Sequence, residues 1–131
     1  MPFLLDSNIV IHAADGHASV LAKLDEHAGN VVTSAICLVE LRRGQYRDHP
    51  DAADAARRLD ALLPGIPTLS FDADAVTAYD RILAARGWMR SRDIDTMIAA
   101  HALSSNSTLV TDNTADFAGI PGLKLENWAA A

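Results

Sequence analysis

The sequence predicts an α/β fold built on a mostly parallel central sheet. Two observations carry the prediction. Short apolar or β-branched runs recur at Phe3–Leu5, Val31–Thr33, Ile66–Phe71, Leu109–Thr111 and Leu123–Asn127, and segments of helical spacing stand between them. That alternation is the pattern of strand–helix–strand units, whose strands run parallel. The chain has 131 residues, half of them hydrophobic, enough for one sizeable core and too few for two. Residues 1–131 are therefore expected to form one domain, with no repeat, low-complexity segment or linker.

Taken in order, Phe3, Leu4 and Leu5 form a buried strand that ends on Asp6. Ser7 or Asn8 is expected to cap the short helix that follows, Ile9 to Ala14, which Asp15-Gly16 breaks. Val20, Leu21 and Leu24 place a second helix over Ser19 to His27. After the Gly29-Asn30 turn and the strand Val31–Thr33, Ser34 caps a helix over Ala35–Arg43. That helix is apolar almost all round for two turns, so it is expected to be buried. Pro50 to Leu63 is the clearest amphipathic helix, opened by Pro50, favoured by Asp51 and Asp54 at its positive end and ended by Pro64-Gly65.

Pro67 predicts that the strand within Ile66–Phe71 is short or lies at an edge. Asp72 caps a helix running to Arg86, stopped by Gly87. Ile94 to Leu103 forms the next helix, preceded by Ser91, Arg92 and Asp93. A loop, Ser104–Ser107, leads to the strand Leu109–Thr111. Asp112 to Phe117 is a loop with a helical turn, anchored by Phe117. Ile120-Pro121-Gly122 turns the chain into the last strand, with Trp128 packed near its end.

Composition narrows the function. No apolar run approaches the roughly 18 residues of a membrane span, and the N-terminus lacks the features of a signal peptide. Cys37 is the only cysteine, which excludes an internal disulfide and fits a reducing cytoplasm. The net charge of −6 argues at first against a nucleic-acid partner. Its distribution softens that argument. Nine of the eleven basic residues are Arg, the better fork for phosphate, and all lie in the middle of the chain.

Acids in four segments do not fit a plain structural role. Asp6 ends a buried strand, where an open α/β sheet places its ligands; a helix cap or a strand-end acid satisfied by backbone N–H groups is the plain alternative. Glu40 interrupts an apolar helix and needs a partner; an ion pair with Arg43 or Arg47 would supply one. Asp95 shares a helix face with Ile98, Ala99 and Ala102 and is aimed inward, unless it serves only the helix dipole, a role that Asp93 can fill. Asp112 and Asp116 follow the strand Leu109–Thr111, where simple loop polarity would also explain them. Convergent carboxylates repel, at 4 Å by about 1 kcal/mol in water-like surroundings and about 4 kcal/mol at an effective dielectric of 20. Such a cluster is protonated or holds a divalent cation, and all-oxygen ligation selects Mg²⁺ or Mn²⁺.

Other chemistries lack their motifs. The five His residues show no zinc spacing, Cys37 has no His or acid at catalytic spacing, and there is neither a Gly-rich phosphate loop nor a Gly-x-Ser-x-Gly elbow. Metal-assisted classes remain.

Four segments then resemble, in order, those of the PIN-domain family and its VapC-type ribonuclease toxins. LLDSNIVI resembles the opening strand, usually Asp-Thr-Asn, with Ser7 keeping a hydroxyl in place of Thr. TSAICLVELRRG resembles the second motif, whose Glu is Glu40. DIDTMIAAHAL resembles the third, in which the functional acid is Asp95. LVTDNTADFAGIPGLKLENW resembles the fourth; its acid before the Phe is Asp116, while Asp112 stands where Asn is common and shares or replaces that role.

The resemblance covers essentially the whole chain. It implies a three-layer α/β/α sandwich and a Mg²⁺-dependent endoribonuclease of a bacterial cytoplasm, with Mn²⁺ able to substitute. Such an enzyme would cleave a structured RNA, tRNA or ribosomal RNA, to arrest translation. Asp6 and Asp95 would be the core ligands, Glu40 and Asp116 would complete the acidic pocket, and Asn8, Thr111 and Asp112 would support it. Arg43 and Arg92 would hold flanking phosphates. A VapB-like antitoxin and a second copy of the chain are the implied protein partners. A PIN-fold module that binds RNA without cleaving it is the alternative, against which the presence of all four acids speaks. An acid-cluster phosphoryl-transfer domain such as a receiver or a small phosphatase is a further alternative; a receiver would want paired acids near the first strand and a Lys at the late strand end by Thr111, and neither is present.

Overall fold

The computed structural model describes residues 1–130. Five short strands form one sheet: β1 (Phe3–Leu5), β2 (Val31–Ser34), β3 (Thr68–Leu69), β4 (Thr108–Val110) and β5 (Leu125–Glu126). Their order across the sheet is β3-β2-β1-β4-β5 and all four pairings are parallel. β1 lies at the centre, with Leu5 opposite Thr33 on one side and Val110 on the other. The chain thus builds outward from β1 in one direction, then crosses back and builds in the other. The carboxyl ends of β1 and β4 flank this reversal, the crevice where open α/β sheets place their sites.

The helices are α1 (Ser7–Ala14), α2 (Ala18–Glu26), α3 (Ala35–Gly44), α4 (Ala52–Leu62), α5 (Ala73–Arg86), α6 (Asp93–Ser104) and α7 (Thr114–Phe117). They cover both faces of the sheet. Successive residues of a strand point to opposite faces, and Leu5 packs with Ile9, Val10, Val20, Leu59 and Trp128, whereas its neighbour Leu4 packs with Ile82, Ile98, Ala99, Leu109 and Phe117. Both sides are closed, the expected state of a parallel sheet, and the arrangement is the three-layer sandwich.

Several boundaries differ from the sequence reading for local reasons. Asp6, not Ser7 or Asn8, caps α1, because its Oδ1 accepts the Ile9 N–H at 3.0 Å. α3 is not buried all round: Cys37 and Leu41 face the two cores, while Val39 is 53% exposed. Pro50 lies ahead of α4, which begins at Ala52. β3 is a two-residue edge strand, as Pro67 requires. A 3₁₀ turn at Arg90–Arg92, absent from the sequence reading, leads directly into α6. No helix among the described residues is long and apolar enough to cross a membrane.

Candidate active site

Asp6 leaves the central strand as the first residue past the sheet. Its backbone N–H donates to Val110 O (3.0 Å), which keeps β1 and β4 in register up to the last residue. Its side chain caps α1 and is 7% exposed. Burial is the main reason its pKa rises from the ordinary 3.8 to about 6. The Thr111 hydroxyl and the Ile9 N–H oppose that rise by hydrogen bonding to the carboxylate, while the charges of Asp112 and Asp95 add to it. Thr111 is fully buried, and its Oγ1 also accepts the Asn113 N–H (3.1 Å), so one hydroxyl ties the acid to the loop after β4.

Asp95 stands in the first turn of α6, above the buried Ile98, Ala99 and Ala102. Its pKa is also raised, first by burial and then by the charges of Glu40 and Asp116; Arg92 acts in the opposite direction. Asp93 is occupied elsewhere, accepting a hydrogen bond from the Tyr79 hydroxyl on α5. The two first-turn acids of α6 thereby separate into one that packs helices and one that faces other carboxylates.

Glu40 makes no ion pair with Arg43 or Arg47. It accepts a 2.6 Å hydrogen bond from Ser7 Oγ, across from α1. Asp112 accepts from His12 Nε2 at 2.9 Å, and Asp116 from Asn113 Nδ2. Asn8 is exposed on α1 and makes no side-chain hydrogen bond among the described residues. Arg43 and Arg92 are exposed. The fold thus brings acids from β1, α3, α6 and the β4–α7 segment within electrostatic range of one another. Ser7 and His12 are the participants that the sequence did not mark as partners. His12 lies 100 positions from Asp112, so no local pattern reveals that pair; the hydroxyl at Ser7 was the one visible hint for Glu40.

Among the described residues no three His, Cys, Asp or Glu side chains are drawn together as a ready-made metal cage. The donors are nevertheless oxygens alone, and Asp6 and Asp95 both resist ionisation where they stand. That chemistry fits a hard divalent cation. Mg²⁺ in particular is commonly held by one or two carboxylates and completed by water and phosphate oxygens.

The chain matches known proteins over nearly its full length. The PIN domain matches residues 3–123. The chain is 33% identical over 134 aligned positions to the ribonuclease VapC2 of Rickettsia felis, covering 98% of each chain. It is 32% identical to the tRNA(fMet)-specific endonuclease VapC of Shigella flexneri, covering 98% of this chain and 99% of that one. The structure superposes on that of VapBC2 from Rickettsia felis bound to a DNA fragment of its promoter, with a TM-score of 0.84 at 32% identity over 98% of this chain and 99% of the other.

Proposed function

The chain belongs to the PIN-domain family, and within it to the VapC group, and we propose that it is a metal-dependent endoribonuclease, the toxin of a toxin–antitoxin pair. The observation that carries this reading is that acids from four segments lie within electrostatic range of one another around the sheet's reversal point, where burial raises the pKa of Asp6 and Asp95. A structured RNA is the proposed substrate, and the name of the Shigella relative supports tRNA.

In this reading Asp6 and Asp95 hold Mg²⁺, with Mn²⁺ able to replace it. When bound, the ion would supply positive charge at the scissile phosphate and would lower the pKa of a water molecule. Glu40, oriented by Ser7, and Asp116, steadied by Asn113, accept hydrogen bonds from water at the site and position it for in-line attack. Thr111 keeps Asp6 in place, and Asp112, tied to His12, keeps the negative field on the β4 side. Asn8, exposed one position after Ser7, is available to the substrate. Arg92, whose charge reaches Asp95, and Arg43, one turn beyond Glu40, bind flanking phosphates.

The proposed protein partner is a VapB-like antitoxin. The solved relatives that are toxin–antitoxin complexes support it. A groove of about 410 Å³ between α1, α3 and α4 is lined by Ile11, Ala14, Leu41, Ala55 and Leu59 and reaches Glu40. An apolar antitoxin segment lying there would bring a basic residue onto the acids. A homodimer is proposed on the same family ground.

The test is cleavage of total bacterial RNA in Mg²⁺ or EDTA by the wild type, Asp6→Ala and Asp95→Ala. Discrete fragments that require Mg²⁺ and vanish in both variants are expected. A folded, antitoxin-free protein that binds RNA but leaves it intact would replace the nuclease with a binding module.

A further inference from the structure

Two exposed aromatic side chains lie on the chain segments next to Glu40 and Asp95, each bracketed by arginines. Trp88 is 62% exposed and its neighbour Met89 54% exposed. They lie between Arg86 and Arg90, in the exposed stretch that ends in the 3₁₀ turn and α6. Tyr46 is 89% exposed, between Arg43 and Arg47, where α3 ends beyond Glu40. Leaving a Trp in water forgoes the burial of an unusually large apolar side chain; Trp128, the other Trp of the chain, is 1% exposed.

The chain geometry keeps both aromatics near the site. From Trp88 to Asp95 the backbone runs through two extended steps, the 3₁₀ turn and the first turn of α6, a span of at most about 16 Å. From Glu40 to Tyr46 it runs along the end of α3 and two further residues, at most about 14 Å.

The arginines sort in the same way. Arg42, Arg57 and Arg58 are paired with acids. Arg43, Arg47, Arg81, Arg86, Arg90 and Arg92 make no such pair among the described residues, and all of these except Arg81 flank the two aromatics. In a chain of net charge −6, unpaired guanidinium groups beside exposed rings match a single-stranded nucleic acid: rings stack on bases and guanidinium groups take phosphates.

We propose that Trp88 and Tyr46 stack on unpaired bases on the two sides of the scissile phosphate, with their neighbouring arginines gripping the backbone, so that the enzyme selects an unpaired stretch of RNA. This rests on the nuclease reading above. It adds to that reading what the acids do not provide, a means of choosing bases in a loop over a duplex, whose stacked bases are unavailable to the rings.

The experiment is binding of short single-stranded oligoadenylate to the full chain in EDTA, where the strand is not cleaved, followed by Trp fluorescence and by filter binding. The wild type is expected to show quenching. Trp88→Ala and Tyr46→Ala should each weaken binding about ten-fold, within the range of one lost base stack, and Trp88→Phe should retain most of it. An abasic strand of equal length should bind the wild type as weakly as it binds Trp88→Ala/Tyr46→Ala. In Mg²⁺, each Ala variant should raise KM for RNA cleavage and leave kcat nearly unchanged. Equal affinity for the two strands, or variants that bind and cleave as the wild type does, would overturn the proposal and leave the nuclease reading intact. So would variants that turn a dimer into a monomer at unaltered RNA affinity, which would assign the aromatics to a second copy of the chain. A wild type that neither binds nor cleaves RNA would take down both readings.

Discussion

Asp6 sets stability against its proposed role in one side chain. It caps α1 and ends the central strand, yet its pKa of about 6 means that its ionised form is disfavoured by about 3 kcal/mol relative to an ordinary Asp. The native state therefore binds more protons than the unfolded chain between about pH 4 and 6. The stability from this group is present in full below 3.8 and is lost as pH rises through about 6. Asp6→Asn keeps an oxygen for the Ile9 N–H and removes the charge. It should stabilise the metal-free protein at pH 7 by about 1–3 kcal/mol, flatten this part of the pH profile in denaturant melts and abolish RNA cleavage. A companion measurement is thermal melting with Mg²⁺. A ligand that binds only the native state at a hundred times its Kd adds about 2.7 kcal/mol. The wild type should gain several degrees, whereas Asp6→Asn and Asp95→Asn should gain little.

At the scale of elements, the site depends on how α3 and α6 are held to the sheet, since they carry Glu40 and Asp95. His101 of α6 lies 2.7 Å from Ser34 Oγ, the hydroxyl that also caps α3 by accepting the Ile36 N–H. One buried hydrogen-bonded chain thus joins both acid-bearing helices to the end of β2. Phe71 packs edge-on against the same imidazole. Burial holds the His101 pKa below the ordinary 6.5. Its stabilising contribution is therefore present above that value and is lost as pH falls through the lower native one. This slope is opposite to that of Asp6, so the two variants separate the effects. His101→Ala should cost about 2–4 kcal/mol through the cavity and the stranded hydroxyl. His101→Ala, which keeps the Asp6 slope, should be less stable at pH 7 than at pH 5, whereas Asp6→Asn, which keeps the His101 slope, should be more stable at pH 7.

At the scale of the molecule, an acidic protein is proposed to bind a polyanion. Local arrangement, not net charge, resolves this. The acids stand at the sheet's reversal point, where a cation would neutralise them, while unpaired arginines lie outside on the exposed segments before α6 and after α3. Arg92→Ala and Arg43→Ala should each weaken RNA binding and reduce the steepness with which added salt releases the RNA, by about one counterion per arginine. Binding measured at two salt concentrations checks this, and unchanged slopes would remove these arginines from the RNA path.

Local chemistry made much of this protein legible from its residues alone. Three apolar residues followed by an acid define β1 and its end; Asp72 and Gly87 bound α5 as written; Pro67 marks the edge strand; and the apolar face behind Asp95 marks the α6 acid that feels the other carboxylates. Each of these signals lies within one or two turns of chain, where propensity, capping and periodicity act. What only the tertiary structure decided are pairings across long sequence separations: Ser7 with Glu40, His12 with Asp112, and His101 with Ser34. It also decided that Glu40 has a hydroxyl, not an arginine, for its partner, and that α3 shows Val39 to solvent. The physical reason is that a polar side chain inside a fold takes the donor that the packing of distant elements delivers, and local sequence does not record which element arrives.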